Sequence, residues 1–220
     1  MAITDTEDES LPLSERAYLR IRDRIVTLSL PPGSVIDEGR LRRELGLGRT
    51  PIREALRRLA QEDLVAVIPS RGTFVAGITI TDLAAVTEIR VELEGFAFRL
   101  AAQRATPAEC AVMRDLIAEL DAIHPNGEAL GSEALMRVDQ RLHQAVYRAT
   151  HNRFLEDALE RYFRLSLRLW HLVLDRVHME DAVQEHREIL EAIVAGEGDR
   201  AESAIRRHVI AFEQAVRKVL

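Results

Sequence analysis

Cysteine is almost missing from this chain. Cys110 stands alone among 220 residues, so neither an intrachain disulfide nor a cysteine-built zinc site can form. No apolar run approaches the roughly 20 residues needed to span a bilayer. The opening MAITDTEDES has neither the basic nor the apolar region of a secretory leader, which predicts a cytoplasmic protein with no membrane attachment. Lysine is nearly missing too: Lys218 is the only one among 30 basic residues. A biased genome alone can make a chain arginine-rich, so the placement of the arginines carries more information than their number.

What is present suits a globular protein. Hydrophobic residues make up 47% and charged residues 30%, enough for a packed core in a small domain plus a larger one. The net charge of −6 argues against a nucleic-acid partner until it is divided along the chain. Residues 1–9 hold four acids and no base, and residues 10–78 hold 12 Arg against 8 acids. Residues 79–220 hold 18 bases against 24 acids. The basic surplus is confined to one segment, where a DNA surface is to be sought.

Residues 1–10 read as a disordered acidic tail. From Ser14, apolar Ala17, Ile21, Ile25 and Leu28 form a helical stripe, broken at LPPG (30–33) by two prolines and a glycine. A short helix is expected at about 38–45, followed by the connector GLG (46–48). A third helix starts near Thr50-Pro51, with Thr50 as its cap and proline at its first position. It turns Ile52, Ala55, Leu56 and Leu59 inward. Two β-like runs, LVAVI (64–68) and TFVAG (73–77), flank the turn PSRG (69–72). Three helices followed by a hairpin make a winged helix-turn-helix.

Beyond Gly77 the pattern changes to amphipathic helices, expected at about 80–104, 107–123, 132–150, 152–177, 180–195 and 199–219. Thr106 with Glu109, and Asp199 with Glu202, have the spacing of capping boxes. The stretch 125–132 reads as a loop. The fold class is mainly α: a winged helix-turn-helix over 11–77, then an antiparallel bundle of six or seven helices over 78–220.

Arg49, Arg53 and Arg57 recur every four residues along the third helix, opposite its apolar face. Arginine pairs bidentately with guanine or with phosphate, so such a face suits base and backbone contacts alike. Arg71-Gly72 lies at the tip of the hairpin, where glycine permits close approach and arginine can enter a minor groove. Taken alone, such a run is more often a solvated basic face. Its place in a three-helix-plus-hairpin pattern favours DNA.

The segment LRRELGLGRTPIREALRRLAQEDLVAVIPSRGTFVAG closely resembles the GntR family of bacterial regulators, over about residues 11–77. The resemblance implies that Arg49, Thr50, Arg53 and Gly72 contact operator DNA. Gly48 stands where the family usually has Ser or Thr, so a phosphate contact is lost there. Gly39 stands where some members carry a basic or polar residue, and no contact is assigned to it.

The histidines divide into two groups. His124, His151, His171 and His178 lie at helix ends or lack a spaced partner. Asp139 and His143, four apart, share one face of a helix, whereas His186 and His208 each sit on a helix of their own beside inward apolar residues. One carboxylate and three imidazoles suit a borderline transition metal. By spacing alone, structural histidines are the commoner explanation. Residues 80–217 also resemble the FCD ligand-binding domain of the FadR subfamily of GntR regulators. The resemblance is carried by EIRVELE (88–94), D-x-x-x-H (139–143), H-x-x-I-x-x-A-I (186–193) and G-D-x-x-x-A-x-x-x-x-H (198–208). It implies that Asp139, His143, His186 and His208 bind a metal, zinc first, with nickel or manganese as alternatives. It also implies that Arg90 is directed into the cavity. Arg90 can equally form a salt bridge with Glu94, four residues on. A metal beside an arginine favours a small organic acid as effector.

The expected protein is therefore a homodimeric repressor of a pseudo-palindromic double-stranded operator, tuned by such an acid. The alternative is a metal-dependent enzyme built on the same His/Asp site. Fusion to a DNA-binding module, and the lack of a base at fixed spacing from the ligands, count against it.

Overall fold

A computed structural model of the chain describes residues 10–123, 132–173, 176 and 182–219. The acidic tail over 1–9, most of the loop predicted over 125–132, and His124 and His178 lie outside the described residues. The chain divides into two compact units, one of residues up to Thr79 with Leu167–Leu172, the other of Ile80–Ser166 and Val173 onward.

The N-terminal unit contains α1 (Leu13–Val26), α2 (Glu38–Leu45), α3 (Arg49–Gln61), β1 (Val65–Ile68) and β2 (Gly72–Val75). Ala17, Ile21 and Ile25 of α1, joined by Tyr18, are buried with Ile52, Ala55, Leu56 and Leu59 of α3, whereas Leu28 of the expected stripe falls beyond the helix, in a turn at φ +59°. Asp37 caps α2, its carboxylate accepting from the Arg40 N–H at 3.0 Å. Gly46 closes α2 with φ +65°, a left-handed conformation that costs glycine nothing.

Two further details of this unit differ from expectation. The third helix begins two residues early, at Arg49, with Gly48 rather than Thr50 at the capping position and no side-chain cap. Thr50 is therefore inside the first turn, because a glycine in extended conformation already makes the entry. The hairpin loop is 69–71 rather than 69–72: Ile68 pairs with Gly72, which opens β2 at φ +113°. The proline-glycine breaker also does more than end α1. Ile36 N–H donates to Thr73 C=O and Val75 N–H to Ser34 C=O, at 2.8 and 2.9 Å, laying 34–36 along β2.

Beyond Thr79 the regular elements among the described residues are all helices: α4 (Ile80–Arg104), α5 (Pro107–Ile123), α6 (Ser132–Ala149), α7 (Arg153–Val173), α8 (Ala182–Val194) and α9 (Gly198–Arg217). The first helix lies against the last, with the Arg206 side chain crossing Gly95, where a Cβ would meet Nε at 2.6 Å. The Thr106–Glu109 capping box forms. Glu109 accepts from the Thr106 N–H and hydroxyl, both at 2.8 Å, and its own N–H donates to the Thr106 oxygen at 3.3 Å. The expected second box does not. Asp199 falls inside the first turn of α9 and pairs with Arg99 instead, while Glu202 pairs with Arg99 and Arg206.

Candidate metal centre and nucleic-acid interface

Two ligand-type side chains come from one helix because a four-residue step returns to the same face of α6. Asp139 and His143 are both buried, as are His186 of α8 and His208 of α9. Three imidazoles converge on one carboxylate oxygen. Asp139 Oδ1 lies 2.8 Å from His186 Nε2, 3.3 Å from His143 Nε2 and 3.4 Å from His208 Nε2. Ligand atoms of Asp139, His186 and His208 all lie within 4.8 Å of one another, a spacing that can hold a metal ion. His143 stands beside this trio, its ring centroid 5.9 Å from that of His208.

The electrostatics follow from the crowding. Burial would raise the Asp139 carboxyl, but the three imidazoles around it, His143 foremost, hold it well below its usual range. Burial lowers His208, yet its hydrogen bonds to Asp139 and Glu185 prevail and push it up to about 9. Burial dominates at His186, which is lowered despite its bond to Asp139.

The donors fit a divalent cation. His143 Nε2 is buried without a hydrogen-bond partner, as is His186 Nδ1. An orphaned buried nitrogen of this kind costs about 1–3 kcal/mol, and at His143 it is the nitrogen facing Asp139. One carboxylate and three imidazoles are the donor set of zinc, nickel or manganese rather than of calcium or magnesium.

Arg90 forms the salt bridge with Glu94 that its spacing allowed. It is buried inside the bundle, and it pairs with Glu94 through Nε at 2.6 Å and Nη2 at 3.2 Å. Its guanidinium lies 5.2 Å from the centre of the Phe163 ring. Burial works against the charge on each partner, but each holds the other ionised: Arg90 is raised and Glu94 lowered. Sequence reasoning missed Tyr147, whose hydroxyl lies 2.9 Å from Glu94 and 3.1 Å from His143 Nδ1. It also passed over Glu185, 2.9 Å from His208 Nδ1. The four-residue step from Asp139 to His143 to Tyr147 was the available signal for the first. The second could have been found only by knowing which face of α8 meets α9. Of the histidines set aside, His151 is exposed and pairs with Glu109.

In the N-terminal unit, Arg49, Thr50, Arg53 and Arg57 are exposed on α3, and Arg71 and Gly72 are exposed at the hairpin tip. Arg53 makes a loose 3.5 Å pair with Glu38. Arg58, one position further round the helix, is committed to the fold: it pairs with Glu15 at 2.7 Å and stacks 3.6 Å from the centre of the Tyr18 ring. The α3 arginines thus separate into three that stay exposed, Arg49, Arg53 and Arg57, and one, Arg58, that braces α1.

A winged helix-turn-helix joined to a helical bundle with a buried polar centre defines a two-domain DNA-binding regulator. Residues 13–75 match the bacterial regulatory proteins of the gntR family and residues 85–211 match the FCD domain, so the chain belongs to the GntR-type transcriptional regulators that carry an FCD domain. An uncharacterised HTH-type transcriptional regulator in an unstable DNA locus of Streptomyces ambofaciens is 30% identical over 92% of this chain and 84% of its own length. The HTH-type transcriptional repressor RspR of Escherichia coli K12 is 23% identical over 100% of this chain and 95% of its own. Among solved structures, E. coli McbR/YncC superposes with a TM-score of 0.81 at 21% identity, covering 94% of this chain and 98% of that one. No described helix is long and apolar enough to cross a membrane.

Proposed function

We propose that this regulator is a homodimeric repressor whose hold on a pseudo-palindromic operator is set by a small organic acid bound at a metal in the bundle. The observation that carries this reading is the convergence of three buried Nε2 atoms on Asp139 Oδ1. Asp139, His143, His186 and His208 hold the ion, zinc in the first instance. The ion supplies a positive centre with one or two positions open to a carboxylate. Arg90 adds a second cationic group in the same interior, and an incoming carboxylate shares it with Glu94. The name of RspR supports a repressing role.

On the DNA side, Arg49, Thr50, Arg53 and Arg57 enter the major groove from α3, while Arg71 and Gly72 approach the backbone or minor groove from the wing. Two such units in a symmetric dimer read two half-sites. The chain acts in the cytoplasm and as a switch rather than an enzyme. The test is operator binding by fluorescence anisotropy, with hydroxy, keto and dicarboxylic acids, on metal-loaded and metal-stripped protein. An active acid shifts operator affinity by about 5–150-fold, the usual range of such coupling, and only when metal is present. A shift of equal size in stripped protein would refute metal-dependent binding of the effector.

A further inference from the structure

Two of the three imidazoles facing Asp139 are held from behind by groups that can only accept a hydrogen there. His208 Nδ1 lies 2.9 Å from Glu185 Oε2, and an ionised carboxylate has no hydrogen to give. His143 Nδ1 lies 3.1 Å from the Tyr147 hydroxyl. That hydroxyl has a single hydrogen, which it donates to Glu94 Oε1 at 2.9 Å, so only its lone pairs are left for His143. Glu94 is itself held on both oxygens by Arg90. A hydrogen on Nδ1 of each ring is therefore held by its partner, and Nε2 is the nitrogen that faces Asp139 and is left to bind an ion. His186 differs, since its buried Nδ1 has no hydrogen-bond partner among the described residues.

We propose that Tyr147 and Glu185 are positioning residues for the metal centre: they fix the tautomer and ring orientation of His143 and His208, with Glu94 and Arg90 anchoring Tyr147. This rests on the metal reading above and goes beyond it, because it assigns roles to four residues that do not themselves touch the ion. A ring without such a partner can rotate and exchange tautomers, and each wrong state removes a ligand. Loss of an outer-shell partner of this type typically weakens metal binding 10–100-fold. The arrangement also accounts for a buried tyrosine hydroxyl and a buried Arg–Glu pair in a helical core where apolar packing would serve as well.

The experiment titrates the full chain with Zn²⁺ against a chromogenic chelator. Tyr147→Phe and Glu185→Ala each weaken Zn²⁺ binding by about 10–100-fold, while Glu185→Gln, which keeps an acceptor oxygen, recovers part of the loss. A purely structural role for Glu185 would instead lower the melting temperature of metal-free protein and leave no difference between Ala and Gln in affinity. Long-range ¹H–¹⁵N correlation on zinc-loaded wild type needs no variant, so it decides the matter even if Tyr147→Phe fails to fold. It shows His143 and His208 protonated at Nδ1 and bound through Nε2. Affinities within about threefold of wild type in both variants, or coordination through Nδ1, overturn the inference and leave the metal centre standing. Wild-type protein that takes up no Zn²⁺ overturns the centre and the inference together.

Discussion

Asp139 is the residue on which the C-terminal unit turns, because one of its oxygens is approached by rings from three different helix positions. If that convergence binds metal, His186→Ala and His208→Ala lose it, whereas His171→Ala retains it; elemental analysis of protein purified without chelator separates the three. Equal metal in wild type and His186→Ala would rule out the site. At this scale the sequence was partly legible. The Asp139–His143 pair shows itself by helical spacing, since both ends lie on one element. His186 and His208 could be joined to it only by resemblance to a family, because nothing local says which helices meet. For Arg90, spacing offered a salt bridge with Glu94, and only the resemblance pointed it toward a cavity. The salt bridge forms inside the bundle, because Glu94 lies one helical turn further along the same buried face of α4.

At the scale of the element, helix ends were the least legible feature and the capping boxes show why. Thr106–Glu109 and Asp199–Glu202 share a spacing, but only the first sits at the entry to its helix. The turn at Gly196, with φ +74°, starts α9 early enough to place Asp199 inside it. Thr106→Ala should therefore destabilise the protein by about 1 kcal/mol in chemical denaturation, since it leaves first-turn donors uncapped. Glu109 adds a pH dependence. Its carboxyl is lowered: burial would raise it, but the Thr106 N–H and hydroxyl and His151 outweigh that. A depressed carboxyl contributes stability that is present above its ordinary value of 4.5 and lost as the pH falls through the folded value. The difference in melting temperature between wild type and Glu109→Gln should shrink steadily from pH 6 toward pH 3. A gap that stays constant would mean the charge is irrelevant to the cap. On α3 the four-residue arginine rhythm was legible because exposed and buried faces alternate with the helical period. Arg58 escaped notice because its stacking partner, Tyr18, lies on another helix. Arg53→Ala should weaken operator binding by about 1–3 kcal/mol and relax preference at one base position, as a footprint over operator variants would show. A uniform loss across all variants would make Arg53 a phosphate contact.

For the whole molecule, the division into a basic DNA-reading segment and an acidic helical bundle was visible from charge and periodicity alone. Element order followed, because long amphipathic helices and a short hairpin have different periods. The pairing of 34–36 with β2 did not, since a proline-glycine break carries no record of what it lies beside. Stripping metal should lower the melting temperature of the whole chain, because an ion held only by the folded state adds its binding free energy to stability. The convergence at Asp139 also has a kinetic side. α6, α8 and α9 supply every proposed ligand and α4 is tied to them through Glu94 and Tyr147, whereas α5 and α7 supply none, so an ion there fastens the first group directly and the second only through packing. Amide hydrogen exchange should then slow on metal addition around Asp139, His143, His186 and His208, while α5 keeps the exchange pattern of stripped protein. The chain would carry within one domain a clamped set of helices and a breathing one, and the rate at which the clamped set loosens would set how quickly the switch can reset.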